Sequence, residues 1–188
     1  MGEFNSYIEE MDSSGGSFDA LIQLCREQGQ VQVYKKKQTL PVGCFGLIVQ
    51  GYCRYTVFNP SENKEYITGF AFASELVGDY PYCLKELSSG VKIETATTCK
   101  ILQIDLKHLN QFIDTHQAFA KDVAENLMKQ AYGNFLDCYR LSHEQRYRNL
   151  LRRCPDIVQK ITLREIASFL HITPTSMSKI RRKITFGS

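Results

Sequence analysis

The chain has 188 residues, of which 43% are hydrophobic and 11% aromatic, and its formal net charge is only +3. This composition is enough to bury a core, and the length fits one large domain or a mid-sized domain with a small one. No apolar run approaches the roughly 20 residues that cross a bilayer, which excludes a membrane-spanning helix. The polar, acidic start lacks the apolar stretch of a signal peptide, so the expected compartment is the cytoplasm, with no membrane partner.

The seven cysteines are scattered along the chain, and no two of them form a C-x-x-C motif. Their odd number and their spacing match no zinc or iron–sulfur pattern, so no metal site is expected. Buried, inert thiols in a reducing cell are the expectation, with a redox-sensing thiol as the alternative. These cysteines are Cys25, Cys44, Cys53, Cys83, Cys99, Cys138 and Cys154.

Charge is divided unevenly along the chain. Residues 140–188 contain 11 Lys and Arg against 3 Asp and Glu, a net charge of +8, whereas residues 1–139 carry a net charge of −5. A basic segment on an acidic body favours a polyanionic partner for that segment, although a solvated basic face has the same composition.

In chain order, the first predicted element is a helix over residues 17–28, with Ser17 as its N-cap and Gly29 just after its end. Short runs of β-branched and aromatic residues follow, separated by turn signals, and they predict strands. These runs are residues 31–34, 45–49, 52–58, 65–72, 91–97 and 100–104. Many short strands without helices between them indicate an antiparallel barrel or sandwich.

Two interruptions of the strand pattern carry further signals. Gln50-Gly51 predicts a tight hairpin, because glycine accepts a positive φ angle. The stretch SELVGDYPY, residues 74–82, contains Gly78-Asp79, which predicts a turn at which polar groups converge.

The pattern becomes helical over residues 105–110 and again over residues 118–140. In the second segment the apolar residues recur at steps of three and four and form one continuous stripe. They are Phe119, Val123, Leu127, Met128, Ala131, Tyr132, Phe135, Leu136 and Tyr139. A helix of this length measures about 35 Å. Its stripe predicts a two-fold dimer with a second copy, and packing on its own barrel alone is the alternative.

Three capping signals divide the basic segment into short helices. Ser142 begins an S-x-x-Q box and Thr162 begins a T-x-x-E box, and both patterns mark helix starts. Thr173 precedes a proline at the first helical position, where proline is favoured. The last two helices meet at a break at His171, and the small Ala167 marks their crossing, which predicts a helix-turn-helix.

The second helix of this pair has a surface suited to DNA. Its first residues would reach base edges in the major groove, while short hydroxyls and cations contact bases or phosphates. The predicted DNA-contacting residues are Thr173, Pro174, Thr175, Ser176, Ser178, Lys179, Arg181 and Arg182. An amphipathic helix pair with a solvated basic face is the alternative.

These segments together resemble the Crp/Fnr family of bacterial transcription regulators, over nearly the whole chain. The residues that carry the resemblance are Glu144-Gln145-Arg146-Tyr147, Pro155 and the run IASFLHITPTSMSKIRRK from Ile166 to Lys183. The resemblance implies an α+β fold with a double-stranded β-helix, a jelly roll of the cyclic-nucleotide-binding type, in residues 1–110. A long dimerisation helix in residues 111–140 and an all-α helix-turn-helix domain in residues 141–188 follow. It also implies a homodimer on a palindromic operator in double-stranded DNA, with RNA polymerase as a further partner.

The sequence departs from this family where an effector would bind. Family members that hold a cyclic nucleotide carry a G-E-L/F…R-S-A cassette, in which the Arg-Ser pair takes the phosphate. Here Gly78-Asp79 matches the start, and Ser89-Gly90-Val91 stands where R-S-A is expected, with only Lys85 or Lys92 as a substitute cation. A cyclic nucleotide and other cofactors are therefore not expected. The residues expected to line a pocket for another small effector are Glu75, Gly78, Asp79, Tyr80, Met128 and Tyr132.

The family also carries glycine at the helix-turn-helix break, where this chain has His171. Histidine is among the side chains tolerated at positive φ, at a cost of about 1 kcal/mol. We expect the His171 ring to project toward solvent.

Two other function classes compete with a DNA-binding regulator. An enzyme built on the barrel would need His and carboxylate ligands, but residues 31–104 contain no histidine, and P-loop and G-x-G-x-x-G motifs are absent, so no enzymatic activity is expected. A ligand-binding or protein-interaction module with a degenerate DNA-binding end is the second alternative, and Lys179, Arg181 and Arg182 argue against it.

Overall fold

The computed structural model describes residues 15–83 and 89–187, without the side chains of residues 15–17 and 117–120. The strands are β1 (Gln30–Tyr34), β2 (Phe45–Gln50), β3 (Cys53–Asn59), β4 (Lys64–Ala71), β5 (Leu76–Gly78), β6 (Lys92–Thr95) and β7 (Cys99–Ile104). The helices are α1 (Gly15–Gln28), α2 (Tyr80–Cys83), α3 (Leu106–Thr115), α4 (Gln117–Arg140), α5 (His143–Arg153), α6 (Ile157–Lys160), α7 (Leu163–Leu170) and α8 (Pro174–Phe186).

The seven strands form two antiparallel sheets that face each other as a β-roll. One sheet has the strand order β1-β7-β2-β5 and the other has the order β4-β3-β6. Between the sheets lies a core that includes Ile48, Val77 and Ile101, all fully buried. The fold class predicted from the sequence, an α+β chain with a roll of short antiparallel strands and a helical end, is confirmed.

The prediction of a tight hairpin at Gln50-Gly51 is wrong. Strands β2 and β3 lie in different sheets, so the chain crosses from one sheet to the other at this point. Gly51 does have the expected positive φ, 88°. A Cβ atom there would collide with the backbone oxygen of Thr98, so this crossing requires glycine on two counts.

The expectations for the two ends of α1 also need correction. The helix begins at Gly15, so Ser17 lies inside it and is not its N-cap. It ends at Gln28 as predicted, but Gly29 does not take the left-handed conformation of a C-terminal cap. Instead, a Cβ on Gly29 would meet the Leu102 side chain at 3.0 Å, so glycine lets α1 run closely into the sheet.

Helices α1, α3 and α4 cover the outer face of the β1-β7-β2-β5 sheet. Leu24, Leu47, Leu109 and Val123 belong to one buried cluster there. Asp105 caps α3 by accepting a hydrogen bond from the Lys107 amide at 2.7 Å. Helix α3 extends to Thr115, five residues beyond the predicted end, and α4 runs over 24 residues, beginning one residue before the predicted range 118–140.

The C-terminal helices pack on the outer face of the other sheet. A third buried cluster joins Tyr52 and Phe70 of the roll to Leu150, Ile166 and Met177 of the helices. The helix-turn-helix therefore shares a continuous core with the roll of its own chain. The predicted division at residues 110 and 140 into three units stays a prediction.

Candidate nucleic-acid interface

Both capping boxes predicted from the sequence form, and they fix where the C-terminal helices begin. The Ser142 hydroxyl accepts from the Gln145 amide at 3.2 Å, and the Gln145 side chain accepts from the Ser142 amide at 2.8 Å. Thr162 and Glu165 make the same reciprocal pair at 3.2 and 2.8 Å. Each box satisfies backbone N–H groups that a helix start otherwise leaves without partners.

The break between α7 and α8 has the left-handed geometry expected for it. His171 has φ 58° and ψ 40°, and the next amide, that of Ile172, donates to the Ala167 oxygen at 3.0 Å. The His171 side chain is exposed, as expected, and its ring also stacks on Tyr66 of β4 with centroids 5.5 Å apart. Burial, and then the positive charges of Arg146 and Lys64, hold the pKa of His171 below its usual value.

The first turn of α8 is held by Thr173, which accepts from the Ser176 amide at 3.1 Å. The Thr173 and Ser176 hydroxyls also bond to each other at 2.9 Å, and Pro174 occupies the first turn as predicted. Ser178 donates its hydroxyl to the Pro174 oxygen at 3.0 Å. Thr173, Pro174 and Ser176 therefore shape the start of the helix as well as lying at its tip.

Helix α8 has a clear inner and outer face. Met177 is fully buried, and Ile180 and Ile184 pack against the same core. On a helix with 3.6 residues per turn, the side chains opposite these three positions are those of Thr175, Ser178, Lys179 and Arg182. All four are exposed. Two hydroxyl groups and two cations thus share the outer face.

Arg181 and Lys183 lie at the two edges of this face. Arg181 is exposed beside α5, where its charge acts on the buried Tyr147. Lys183 pairs with Glu144 of α5 at 2.8 Å, and Glu144 also pairs with Arg148 at 2.9 Å. Hydrogen bonds from Lys183 and Arg148 hold the pKa of Glu144 below its usual value. The outer face is thus supported by α5 on one side.

The helix-turn-helix is also joined to the roll by polar contacts that sequence reasoning missed. Arg54 of β3 bonds to Glu165 of α7 at 2.5 Å and pairs with Glu94 of β6. The Ile67 amide of β4 donates to the Ser168 hydroxyl of α7 at 3.1 Å. No local sequence pattern predicts these contacts, because Arg54 lies 40 positions from Glu94 and 111 from Glu165, and Ile67 lies 101 positions from Ser168.

Glu75, one of the predicted effector residues, takes part in another such contact. Arg153 of α5 donates to both Glu75 oxygens, at 2.8 and 2.6 Å, and to the Phe70 oxygen at 2.7 Å. Glu75 also accepts from the Phe72 amide at 2.9 Å. Its carboxylate therefore links the roll to α5.

The other predicted effector residues fall into two groups. Gly78 donates its amide to the Tyr55 hydroxyl at 3.3 Å, Asp79 is buried, and Tyr80 stands edge-on to Phe45 at 5.7 Å. Burial raises the pKa of Tyr80 well above its usual value. Met128 and Tyr132, in contrast, are 66% and 55% exposed on α4, so they are open to solvent in the single chain.

Ser89 lies where the family's phosphate-binding pair is expected, but its polar groups bind another residue of the protein. Its amide and its hydroxyl both donate to the Asp79 carboxylate, at 3.1 and 2.9 Å. The donors that a cyclic phosphate would use at this position are therefore engaged by a carboxylate of the protein itself. Lys85 lies outside the described residues, and Lys92 pairs with Glu65 at 3.1 Å.

Helix α4 carries an exposed apolar stripe. Its members are Met128, Tyr132, Phe135 and Tyr139, spaced four, three and four residues apart. The rings of Phe135 and Tyr139 contact each other at 5.1 Å. Phe119, predicted as part of the stripe, has a side chain outside the described residues, and Val123 is buried against the roll.

Six of the seven cysteines are buried and Cys138 is exposed on α4. Among the described residues, no group of three or more His, Cys, Asp or Glu side chains could hold a metal ion. Within the same residues, no helix is both long and apolar enough to cross a membrane.

Known proteins share this architecture, although their sequences are distant. No protein-family model and no curated protein sequence matches the chain. Solved structures do match. FixK2 from Bradyrhizobium japonicum aligns with a TM-score of 0.65 at 16% identity, covering 85% of this chain and 86% of its own. A candidate transcriptional regulator of the Crp/Fnr family from Eubacterium rectale aligns with a TM-score of 0.60 at 17% identity, covering 88% and 82%.

The catabolite activator protein of Thermus thermophilus aligns with a TM-score of 0.52 at 15% identity, covering 87% of this chain and 82% of its own. At identities this low, the matches show a common fold only. Because 85–88% of this chain is covered, the common fold includes the roll, the long helix and the helical end. The chain therefore has the fold of the Crp/Fnr regulators, which confirms at the level of fold the resemblance read from its sequence.

Proposed function

We propose that this chain is a sequence-specific DNA-binding transcription regulator that works as a homodimer. The observation that carries the proposal is the outer face of α8, where Thr175, Ser178, Lys179 and Arg182 are all exposed on one side of a helix whose other side is buried. Short hydroxyls in the first turns of such a helix and cations further along it suit the base edges and phosphates of a major groove.

The dimer is proposed from α4. Its exposed stripe repeats at the spacing that lets two helices pack along each other, and a two-fold axis pairs each residue with its own copy. Two recognition helices in successive major grooves would lie about 34 Å apart, which makes a palindromic operator the expected target.

We further propose that any effector of the roll is a small molecule other than a cyclic nucleotide. The commitment of Ser89 to Asp79 supports this, because a cyclic phosphate would have to displace both bonds. Isothermal titration of the purified chain with cyclic AMP and cyclic GMP is expected to show no binding, and saturable heat from either would contradict this part of the proposal.

The DNA proposal is tested by selecting bound fragments from sheared bacterial genomic DNA, followed by fluorescence anisotropy on the selected sequence. Lys179→Ala/Arg182→Ala is compared with Lys100→Ala/Lys107→Ala, which removes the same charge from exposed positions in β7 and α3. We expect the first variant to lose most of its affinity and the second to bind like the wild type.

Salt dependence separates this outcome from nonspecific charge effects. Each phosphate contact contributes a slope of about 0.9 in a plot of log affinity against log salt concentration. The α8 variant should therefore show a shallower slope than both the wild type and the matched control. A wild-type protein that dimerises but selects no DNA sequence would instead favour an interaction module with a degenerate DNA-binding end.

A further inference from the structure

The first helix of the helix-turn-helix lies along the edge strand of the roll. Strand β4 is the outermost strand of its sheet, and such an edge presents backbone groups that lack a neighbouring strand. One of these groups, the Ile67 amide, is satisfied by Ser168 of α7 at 3.1 Å. Beside it, Phe70 packs on Phe169 with ring centroids 5.5 Å apart. Helix α7 thus covers part of the edge of β4 and satisfies one of its backbone donors.

Arg54 is the charged centre of this contact. One of its terminal nitrogens bonds to Glu165 of α7 at 2.5 Å, and the other bonds to Glu94 of β6. The three side chains are only 12 to 24% exposed. The Arg54 Nε atom is buried without a hydrogen-bond partner in the described part of the chain. The arginine therefore gives up hydration to bridge the roll and the helix-turn-helix.

The Glu165 carboxylate does two things with its two oxygens. Its Oε2 atom accepts from the amide and the hydroxyl of Thr162, both at 2.8 Å, and so completes the capping box of α7. Its Oε1 atom accepts from Arg54. Because one rigid carboxylate holds both, the position of Arg54 on the roll is coupled directly to the start of α7, and through the packed turn to α8.

We propose that Arg54 is a positioning residue for DNA binding, which fixes the orientation of the recognition helix relative to the roll. This inference rests on the proposed DNA-binding function. In the structure, Arg54 binds Glu165 of α7 and the outer face of α8 is exposed. The contact between α7 and the roll therefore leaves that face free to meet a partner. A dimer whose two recognition helices are already oriented loses less conformational freedom when it binds an operator.

Two variants, called the clamp variants below, separate this role from a general loss of folding. Arg54→Met removes the bridge from the roll side. Glu165→Gln removes the charge from the helix side and keeps the capping box, because this chain already builds a box with glutamine at the equivalent position, Gln145. Glu65→Gln is the matched control, since it weakens an ion pair with Lys92 within the roll, and the described hydrogen bonds and ion pairs of Glu65 include none with α7.

The first readout is hydrogen–deuterium exchange of the free protein, without DNA. We expect faster exchange in α7 and at the Ile67 amide in Arg54→Met and Glu165→Gln, and wild-type exchange in Glu65→Gln. Unchanged exchange in both clamp variants would overturn the proposed contact, whatever the DNA results.

The second readout is the dissociation constant for the operator, measured by anisotropy at fixed salt. Both clamp variants are expected to bind about tenfold more weakly, within the range typical of coupling between sites. The double variant should be no weaker than either single one, because the two residues act on one interaction. Arg54→Lys should recover part of the loss, since it keeps a cation beside Glu94.

The outcomes distinguish this proposal from the proposed function. A wild-type protein that binds no DNA would remove the function, and the exchange data alone would then decide whether Arg54 holds α7. Operator binding that is unchanged or tighter in the clamp variants, with wild-type binding intact, would overturn the positioning role and leave the function standing.

Discussion

Helices α7 and α4 each carry an apolar face, and the face of α7 is covered throughout, whereas most of the described face of α4 is open. In α7, the side chains of Ile166, Ala167 and Leu170 are buried against the roll and the neighbouring helices. In α4, Phe135 and Tyr139 are each more than half exposed. The two faces have similar apolar compositions. The face of α7 is buried against other parts of the same chain, whereas that of α4 remains exposed to solvent.

The difference lies in what each helix has beside it. Helix α7 is short and lies on a sheet whose edge and outer face are both available to it, so its apolar side chains meet those of the roll. The end of α4 extends past the roll, beyond the point where Val123 is buried. A contiguous exposed apolar patch of this kind marks an interaction site. In the proposed regulator, the covered face would orient the DNA-binding end, and the open face would pair with a second copy.

The largest expected effect comes from the covered face. Ile166→Ala removes a fully buried side chain, and we expect it to lower the free energy of unfolding by about 2–5 kcal/mol, the usual cost of such a cavity. Phe135→Ala, on the open face, should cost well under about 1 kcal/mol in the monomer, as surface substitutions do. Urea denaturation at low protein concentration measures both. Equal losses of unfolding free energy in the two variants would mean that the face of α4 is as well buried in the monomer as the face of α7.

The next effect concerns the open face itself. Phe135→Glu places a charge in the middle of the proposed dimer seam, and central apolar residues of an interface often contribute about 2 kcal/mol or more. We expect the variant to be monomeric at concentrations where the wild type is dimeric, as measured by sedimentation equilibrium. Gln130→Glu is the control, because it adds the same charge at an exposed position of α4 away from the stripe. A wild-type protein that stays monomeric would contradict the assignment of the stripe.

The sequence was informative where the signal is local. The capping boxes at Ser142 and Thr162 and the proline at the start of α8 could be predicted, because each depends on residues within three or four positions. The left-handed geometry of His171 was expected from the family resemblance. The six predicted strands lie within about two residues of observed ones, since alternating β-branched residues mark them.

The sequence failed where the outcome depends on distant partners. The three-residue strand β5 is too short to show a period, and it forms only because β2 lies beside it. The change of sheet at Gly51 has the same local signature as a hairpin, and only the pairing of β2 with β7 decides between them. Arg54 contacts Glu165, 111 positions away, and Arg153 contacts Glu75, 78 positions away. No local sequence pattern predicts contacts over such separations.

A smaller effect tests whether the covered helix depends on its cap. Thr162→Ala removes the side chain that accepts from the Glu165 amide and that donates to its carboxylate. Loss of such a cap costs about 1 kcal/mol in the free energy of unfolding. Thr162→Ser keeps the hydroxyl and should restore most of the loss in urea denaturation. If the alanine and serine variants are equally stable, the cap does not contribute to holding α7.

The smallest effect, and the only one that depends on pH, concerns the contact of His171 with Tyr66. His171→Asn keeps a residue that tolerates left-handed geometry and removes the stacked ring, which should cost about 0.5 kcal/mol near pH 7.5, the low end for a ring pair because His171 is exposed. The folded-state pKa of His171 is below its usual value, because burial and nearby Arg146 and Lys64 disfavour the imidazolium.

A lowered histidine pKa means that the neutral ring stabilises the folded form. Its contribution is fully present above the unfolded pKa of about 6.5 and is lost as the pH falls through the lower folded value. We therefore expect the stability difference between wild type and His171→Asn to shrink between pH 7.5 and pH 5.5, because the wild type alone loses this term. Tyr66→Phe keeps the aromatic face and should retain the wild-type pH profile in urea denaturation. A difference that stays constant or widens toward acid pH would show that the His171 ring is not held neutral by its contact with the roll.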